Sequence, residues 1–327
     1  MTKAREFRLY DSFVTVEPVR FRIERCFLAE GGVETLDRSL KISEVLNTGK
    51  NKFYGYCIDL FMMAMLYLFM SHDVDWPRHG PSISHIMARK DRFDSDIIKK
   101  VLVEGYNPYY NIPEIMEAEE RVGVRSTFFF RPTYDDGSTV IVYEDDIKSL
   151  VNGGWEIGVH LNNADNIEDI LRQKHAIESI ARVKCLGSRV HYLKVNEEGL
   201  LNIYKAGFLY DSSLVFIKSD ISTRNMGCLL KRGLVVFPIT LMDAYIFTYM
   251  KVDEGKVLNI IKKMINTALA VNIKIITILW HVGSVKMRGG RMYFKVLEYL
   301  ASCDDISIVK GIEAFNIALE EGLCREA

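Results

Sequence analysis

Two aspartates with one residue between them follow the longest apolar run of the chain. The run covers about residues 60–70, and the stretch SHDVDWP that comes next contains Asp73 and Asp75. Carboxylates at the end of a buried strand are costly unless they have partners. Alternation along a strand puts both side chains on the same side. One of them could bind a metal ion while the other acts as a general base.

Polar side chains end three further apolar runs. His160 ends WEIGVH, Arg189 and His191 lie near the end of KCLGSRVHYL, and His281 ends IITILWH. In parallel α/β folds the site forms at the carboxyl ends of the strands, so these residues should meet on one rim. Carboxylates and imidazoles are ordinary ligands of zinc and similar divalent ions. The pattern therefore predicts metal-assisted hydrolysis, with an arginine that keeps the base ionised and a histidine that protonates the leaving group.

Each of these residues also has a structural interpretation. Asp73 and Asp75 could be a helix cap and a turn acid. His160 and His281 could be core or turn histidines, and Arg189 could pair with a structural acid. The functional interpretation rests on the shared position of these residues at strand ends.

The elements that must position these residues alternate along the chain. Eight runs predict strands: MLYLFMSHD, STFFFRP, WEIGVHL, KCLGSRVHYL, GFLYDSS, LVVFPIT, IKIITILWH and DISIV. Helices are predicted from PEIMEAEERVG, from residues 165–182 and from residues 255–271, by their capping signals or by apolar residues at the helical period. Short strands that alternate with helices favour an α/β fold with a parallel sheet, and eight strands could close a barrel, regular or distorted.

Composition excludes several classes of protein. The chain has 327 residues, 49% of them hydrophobic, with a formal net charge of −1. This suits one large domain and speaks against a charge-driven nucleic-acid binder. The N-terminal residues lack the apolar core of a signal peptide, and the longest apolar run is too short for a membrane span. With six scattered cysteines and no CxxC pair, we expect reduced thiols in a cytoplasmic protein.

The order of the motifs resembles a known family. SHDVDWP, STFFFRP, GGWEIGVH, GSRVHYL, GFLYDSS and ILWH are similar to the motifs of the polysaccharide deacetylases, the NodB-homology group of carbohydrate esterase family 4. The resemblance covers about residues 60–310 and is nearest to the subgroup with an Asp-x-Asp first motif and no secretion signal. It implies a distorted (β/α) barrel over residues 56–327, with residues 1–55 as an N-terminal extension packed on it. It also implies a metal-dependent deacylase that acts on a sugar or a glycan precursor.

The resemblance assigns catalytic roles residue by residue. Asp73 matches the general base and Asp75 a metal ligand. Arg189 matches the arginine that steadies the base, and the backbone N–H of Tyr192 matches a group that helps to hold the oxyanion. His281 matches the general acid of the last motif.

The metal shell departs from the family pattern. His160 matches the first metal histidine, but the second, four residues later, is Ala164 here. His191 stands where the family usually has proline and is a candidate third ligand. Asn163 and Asp165 are other candidates. The ion is expected to be zinc, with cobalt, nickel and manganese as alternatives.

Two features bear on the substrate. The loop after the first strand has four cationic residues: Arg78, Arg89, Lys90 and Arg92. They could contact a phosphate of a nucleotide-sugar or a lipid-linked glycan, and the alternative is a solvated loop. Asp243, in FPITLMD, lies where a later family motif often has an acid, and we predict that Asp243 and Arg78 bind the substrate.

Three functions remain open from the sequence. The first is a metal-dependent deacetylase, and the second is a hydrolase of another non-peptide C–N bond. The third is an inactive carbohydrate-binding barrel, which the missing second histidine favours. Whether the chain forms a homo-oligomer is also open.

Overall fold

The computed structural model describes residues 65–326. The strands are β1 Leu66–Val74, β2 Thr127–Phe130, β3 Glu156–Leu161, β4 Gly187–Val190, β5 Tyr210–Asp211, β6 Cys228–Lys231, β7 Leu234–Val236, β8 Leu241–Met242, β9 Ile275–Leu279, β10 Ile306–Val309 and β11 Cys324–Glu326. The α-helices are α1 Ile83–Met87, α2 Ser95–Glu104, α3 Ile112–Arg121, α4 Glu144–Asn152, α5 Ile167–Ala181, α6 Glu197–Lys205, α7 Asp243–Thr248, α8 Val257–Ala270, α9 Tyr293–Ala301 and α10 Gly311–Glu320. The predicted N-terminal extension, residues 1–55, lies outside the described residues.

The strands form one curled, mainly parallel sheet. Its order is β11-β6-β7-β5-β4-β3-β2-β1-β9-β8, and β10 pairs with β1. The register aligns Asp73 of β1 with Phe129 of β2, and His160 of β3 with Arg189 of β4. Neighbouring strands therefore bring their polar ends to one rim. This architecture confirms the predicted distorted (β/α) barrel.

One antiparallel pair was missed from the sequence. β6 and β7 form a hairpin joined by Arg232 and Gly233, whose φ angles are 53° and 87°. Positive φ at both central residues is what a type I′ turn requires. The apolar run LVVFPIT predicts β7, but no run predicts β6, β8 or β11, which are two to four residues long.

The predicted helices are confirmed as α3, α5 and α8. Pro113 lies in the first turn of α3, where its missing N–H costs nothing. The side chain of Asn166 caps α5 by accepting hydrogen bonds from the backbone N–H groups of Glu168 and Asp169. Leu171, predicted to lie on the apolar side of α5, is exposed. No helix within residues 65–326 has the length and apolarity needed to cross a bilayer.

One face of β1 carries an aromatic cluster and, farther along the strand, polar residues of the rim. Phe69 packs edge-on against Tyr210 and Phe237, with ring centroids 5.7 and 5.6 Å apart. This aromatic cluster includes residues of α10. Ser71 and Asp73 point to the same side farther along the strand. The aromatic cluster and the polar residues of the rim therefore lie on the same face of β1.

Two cysteines come together at one end of the sheet. Cys228 of β6 and Cys324 of β11 are register partners, and their Sγ atoms lie 2.6 Å apart. They are free thiols in this structure. The expectation of scattered thiols therefore missed a close pair, because the two residues are far apart in the sequence.

Candidate active site

Asp73 is held by a buried guanidinium. Arg189 donates from Nη1 to Asp73 Oδ1 at 2.7 Å. Its other N–H groups donate to Ser212 O (2.8 Å), Ser212 Oγ (2.9 Å) and Ser71 Oγ (3.0 Å). The guanidinium carbon lies 4.4 Å from the centroid of the Phe129 ring. Arg189 therefore has one fixed orientation, and it makes a charge-assisted hydrogen bond to the carboxylate it contacts.

Three side chains next to this pair form a triangle of ligand atoms. Asp75 Oδ1 lies 3.1 Å from His160 Nε2 and 3.4 Å from His191 Nδ1. The two histidine nitrogens are 3.2 Å apart. Three ligands about 2.0–2.2 Å from one zinc ion, arranged tetrahedrally, would lie about 3.3–3.6 Å from one another. The triangle has the size and the donor set of a site for a divalent ion.

Proton accounting also favours a cation in this triangle. His160 Nδ1 lies 3.0 Å from the carbonyl oxygen of Arg189, so it must donate there. In the neutral ring Nε2 then carries a lone pair, and it faces the carboxylate of Asp75. Two acceptors at this distance repel each other unless a positive charge lies between them, either a metal ion or a proton that makes the histidine a hydrogen-bond donor to Asp75. His191 Nε2 is buried and has no hydrogen-bond partner among residues 65–326, so its proton can sit there and leave Nδ1 free to bind.

The electrostatics of Asp75 agree with a ligand role. Burial raises its pKa, but hydrogen bonds from His160 and His191 and the charge of His281 outweigh burial and hold the pKa well below its usual range. The carboxylate is therefore ionised at neutral pH. Ionised carboxylate is the form that binds divalent ions.

His281 is oriented by a second acid. Its Nδ1 lies 2.6 Å from Asp243 Oδ1, and its backbone N–H donates to Asp243 Oδ2. Ser284 Oγ also donates to Asp243 Oδ2. His281 Nε2 points toward the triangle and lies 3.6 Å from Asp75 Oδ2. Burial lowers the pKa of His281, but the charge and hydrogen bond of Asp243, with the charges of Asp75 and Asp73, raise it to about 10. The imidazole is thus protonated at neutral pH and can act as an acid.

The chain turns sharply after His191. Tyr192 and Leu193 both have left-handed backbone, with φ of 58° and 57°. This conformation is uncommon for residues other than glycine and clusters at functional sites. The Tyr192 side chain is 71% exposed and stands at the rim against the His191 ring. Its predicted role belongs to the backbone N–H and stays a prediction.

The remaining predicted residues lie elsewhere. Arg78 pairs with Asp146 at 2.9 Å, outside the triangle. Asp243, predicted to contact substrate, is buried against His281. Asn163 and Asp165 are exposed and are not members of the triangle. Among the candidate third ligands, the structure brings only His191 to Asp75 and His160.

Arg131 was not predicted from the sequence. It follows β2 and is buried, with its Nη1 3.4 Å from the backbone oxygen of Asp75 and its Nε donating to Asn162 at 2.9 Å. Arg131 therefore holds the backbone at Asp75, the candidate metal ligand. The available signal was an arginine at the end of the strand FFF.

A buried network lies behind the site, on the other face of β1. His72 Nδ1 faces the Trp280 carbonyl oxygen at 2.7 Å, and Nε2 faces Glu119 Oε1 at 3.0 Å. Tyr293 donates to the same carboxylate oxygen. Burial raises the pKa of Glu119, but its partners, His72 first, lower it overall. Both nitrogens of His72 thus face oxygen atoms of buried partners. The hydrogen bond between His72 and Trp280 therefore links the residue before the candidate base, Asp73, to the residue before the candidate acid, His281.

Solved structures share this fold. No family model matches the sequence, and no curated protein sequence matches it. A protein described as a polysaccharide deacetylase from Mycobacterium smegmatis aligns with a TM-score of 0.58 and 16% identity, over 81% of this chain and 93% of that one. One similarly described from Pseudomonas aeruginosa PAO1 gives 0.55 and 14%, over 79% and 92%. The Puue allantoinase gives 0.56 and 14%, also over 79% and 92%. The chain thus has the fold of the polysaccharide deacetylases.

Proposed function

We propose that the protein is a metal-dependent hydrolase that removes an acyl group, most simply N-acetyl, from a sugar or glycan precursor. The observation that carries the proposal is the ligand triangle of Asp75, His160 and His191, set between a base held by an arginine and an acid held by an aspartate. A divalent ion bound there would supply a Lewis acid and make a water molecule more acidic. The fold of the similar structures supports the same class of reaction.

The chain's own residues divide the proton chemistry. Asp73 presents one oxygen to Arg189 and the other, Oδ2, toward the triangle, 3.6 Å from His160 Nε2. It can therefore accept a proton there. His281, on the opposite side, can give its Nε2 proton to the leaving amine. Each such group typically contributes about 10²–10⁴-fold to the rate.

The allantoinase similarity favours a second candidate, hydrolysis of a C–N bond outside carbohydrates. The same triangle, base and acid would serve both reactions, so the substrate alone separates them. Release of acetate from acylated sugars, against release of ammonia or a carboxylate from cyclic or linear ureides, distinguishes the two. An inactive barrel would bind sugars and release neither product.

The test measures metal content and turnover on the same preparations. Loading with zinc or cobalt should give about one ion per chain, the occupancy of a single site with three protein ligands. His191→Ala should lose the ion, whereas His175→Ala, which changes an exposed histidine of α5, should keep it. Asp73→Asn and His281→Ala should keep the ion and lose most turnover, while Asp75→Ala should lose both. A fully loaded parent that releases no product from either substrate class would overturn the enzymatic proposal.

A further inference from the structure

A small cap stands beside the rim. It consists of residues 76–111, between β1 and α3, and has its own apolar cluster of Ile86, Phe93, Val101 and Tyr109. The Trp76 ring follows Asp75 directly and packs edge-on against His85 and Tyr109, with centroids 4.5 and 5.4 Å apart. One indole ring thus separates His85 from the chain at the ligand triangle.

The cap also touches the loop that carries the candidate acid. Gly283 lies two residues after His281, and a Cβ on it would come within 3.0 Å of Tyr109 and 3.3 Å of Trp76. This part of the cap therefore lies against the loop that follows the candidate acid.

Several hydrogen-bond donors on the cap face no acid. Arg89 Nη1 lies 3.2 Å from His85 Nδ1. Because a guanidinium only donates, Nδ1 accepts and the neutral ring carries its proton on Nε2. Burial, followed by Arg89 and Arg92, lowers the pKa of His85 and favours that neutral form. The Tyr109 hydroxyl is buried and has no hydrogen-bond partner within residues 65–326. The rings of His85 and of Phe93, which follows Arg92, each lie 5.9 Å from the Tyr109 ring, so both arginines belong to the same part of the cap as this hydroxyl. Burial raises the pKa of Tyr109, and the charges of Arg89 and Arg92 oppose the rise.

Two other arginines, unlike Arg89 and Arg92, have acidic partners. Arg288 and Arg291 pair with Asp94, and Arg291 also pairs with Glu254. Among the described residues, Arg89 and Arg92 have no such acidic partner. The group therefore offers two guanidinium ions, an imidazole N–H and a buried hydroxyl, none of which has an acidic partner within residues 65–326.

We propose that Arg89, Arg92, His85 and Tyr109 form an anion subsite that binds a phosphate group of the acylated sugar; this inference rests on the proposed function. Guanidinium forks match phosphate geometry, and the buried hydroxyl supplies a neutral donor. Arg78 was also predicted to contact substrate. It forms an ion pair with Asp146 and lies outside the subsite. The phosphate can belong to a sugar phosphate or to a nucleotide-sugar.

The first experiment uses inorganic pyrophosphate as the probe and does not depend on turnover. Binding to the full chain is measured by calorimetry at fixed ionic strength. Arg89→Gln/Arg92→Gln should weaken it at least about tenfold, since each charge-assisted hydrogen bond is worth about that factor. The matched control is Lys99→Gln/Lys100→Gln, which removes the same charge from exposed positions of α2 and should stay within about twofold because distant surface charges are screened. Probe bound at a metal ion would contribute equally to all variants.

Tyr109→Phe tests the contribution of the hydroxyl to binding without changing the charge of the cap. It should weaken pyrophosphate binding while leaving the apolar cluster intact. Equal losses in both double variants, or no effect of Tyr109→Phe together with none of Arg89→Gln/Arg92→Gln, would overturn the subsite.

The second experiment compares substrates. The ratio of kcat/KM for a phosphorylated over a neutral acylated sugar should fall about tenfold in Arg89→Gln/Arg92→Gln, through KM, by the same hydrogen-bond argument. Running a sugar phosphate and a nucleotide-sugar in parallel shows which source the subsite prefers. An unchanged ratio would refute the proposal. If no substrate releases product, the proposed function fails while pyrophosphate binding still decides on the subsite.

Discussion

Replacing Arg189 with methionine should expose how strongly the site depends on its buried ion pair. Arg189→Met keeps most of the side-chain volume over Phe129 but removes all four hydrogen bonds to Asp73, Ser71 and Ser212. The carboxylate of Asp73, 3% exposed, would remain buried without its cation. The substitution thus leaves a buried charge uncompensated.

Removing one partner of a buried ion pair typically costs about 3–5 kcal/mol, mostly because the other charge stays buried. The upper half of that range is expected here, because Arg189 is completely buried and every N–H group that it uses has a protein acceptor. A domain with the usual stability of about 5–15 kcal/mol would still fold. Asp73→Asn in the same background removes the uncompensated charge and should recover about 2 kcal/mol or more, since contacting residues couple by up to about 3 kcal/mol.

The measurement is urea unfolding of the parent, both single variants and the double variant at pH 7. A chelator keeps bound metal from adding to the folded state. Unchanged slopes with urea show that only stability changed. Costs that add within about 0.5 kcal/mol would refute the reasoning, because independent sites behave that way.

Three further predictions concern groups outside the triangle. Burial raises the pKa of Asp211 to about 6, with hydrogen bonds from neighbouring serines partly opposing the rise. Its stabilising contribution is therefore present below about pH 4 and is lost as pH rises through 6. Between pH 5 and pH 7.5 the parent should lose about 1.4 kcal/mol more in urea unfolding than Asp211→Asn, and equal pH dependence would contradict this. Mild oxidation should join Cys228 to Cys324, seen as a linked peptide in mass spectrometry that Cys228→Ser lacks; all six thiols of the chain remaining titratable after unfolding would count against it. Glu119→Gln should cost about 3–5 kcal/mol by breaking the buried pair with His72, whereas Glu120→Gln, exposed on the same helix, should change little, and similar costs for both would contradict this.

Much of the fold could be predicted from the sequence because the signals are local. The long strands and the helices α3, α5 and α8 carry a clear period or capping residues. The hairpin of β6 and β7 could not be found from periodicity, since its strands are too short and its pairing depends on the Arg232–Gly233 turn. Residues 1–55 lie outside the described part of the chain, and their predicted packing stays a prediction.

The candidate site could be predicted only in part. Strand ends identified Asp73, Asp75, His160 and His281, because position in a parallel strand decides which rim a side chain reaches. Their partners come from distant segments, and no local pattern connects Asp243 with His281. The third ligand could not be chosen either. The position of His191 depends on the left-handed turn at Tyr192 and Leu193, which no sequence pattern indicates.

The proposed third ligand, His191, has a consequence for substitutions at Ala164. Ala164, at the position of the family's second histidine, is 3% exposed, and its carbonyl oxygen accepts a hydrogen bond from Asn202 of α6. A histidine there would have to push α6 aside, while His191 already fills the third corner of the triangle. Loss of His191 alone would leave the corner empty. Under the proposed function, the effects of substitutions at positions 164 and 191 should therefore depend on each other.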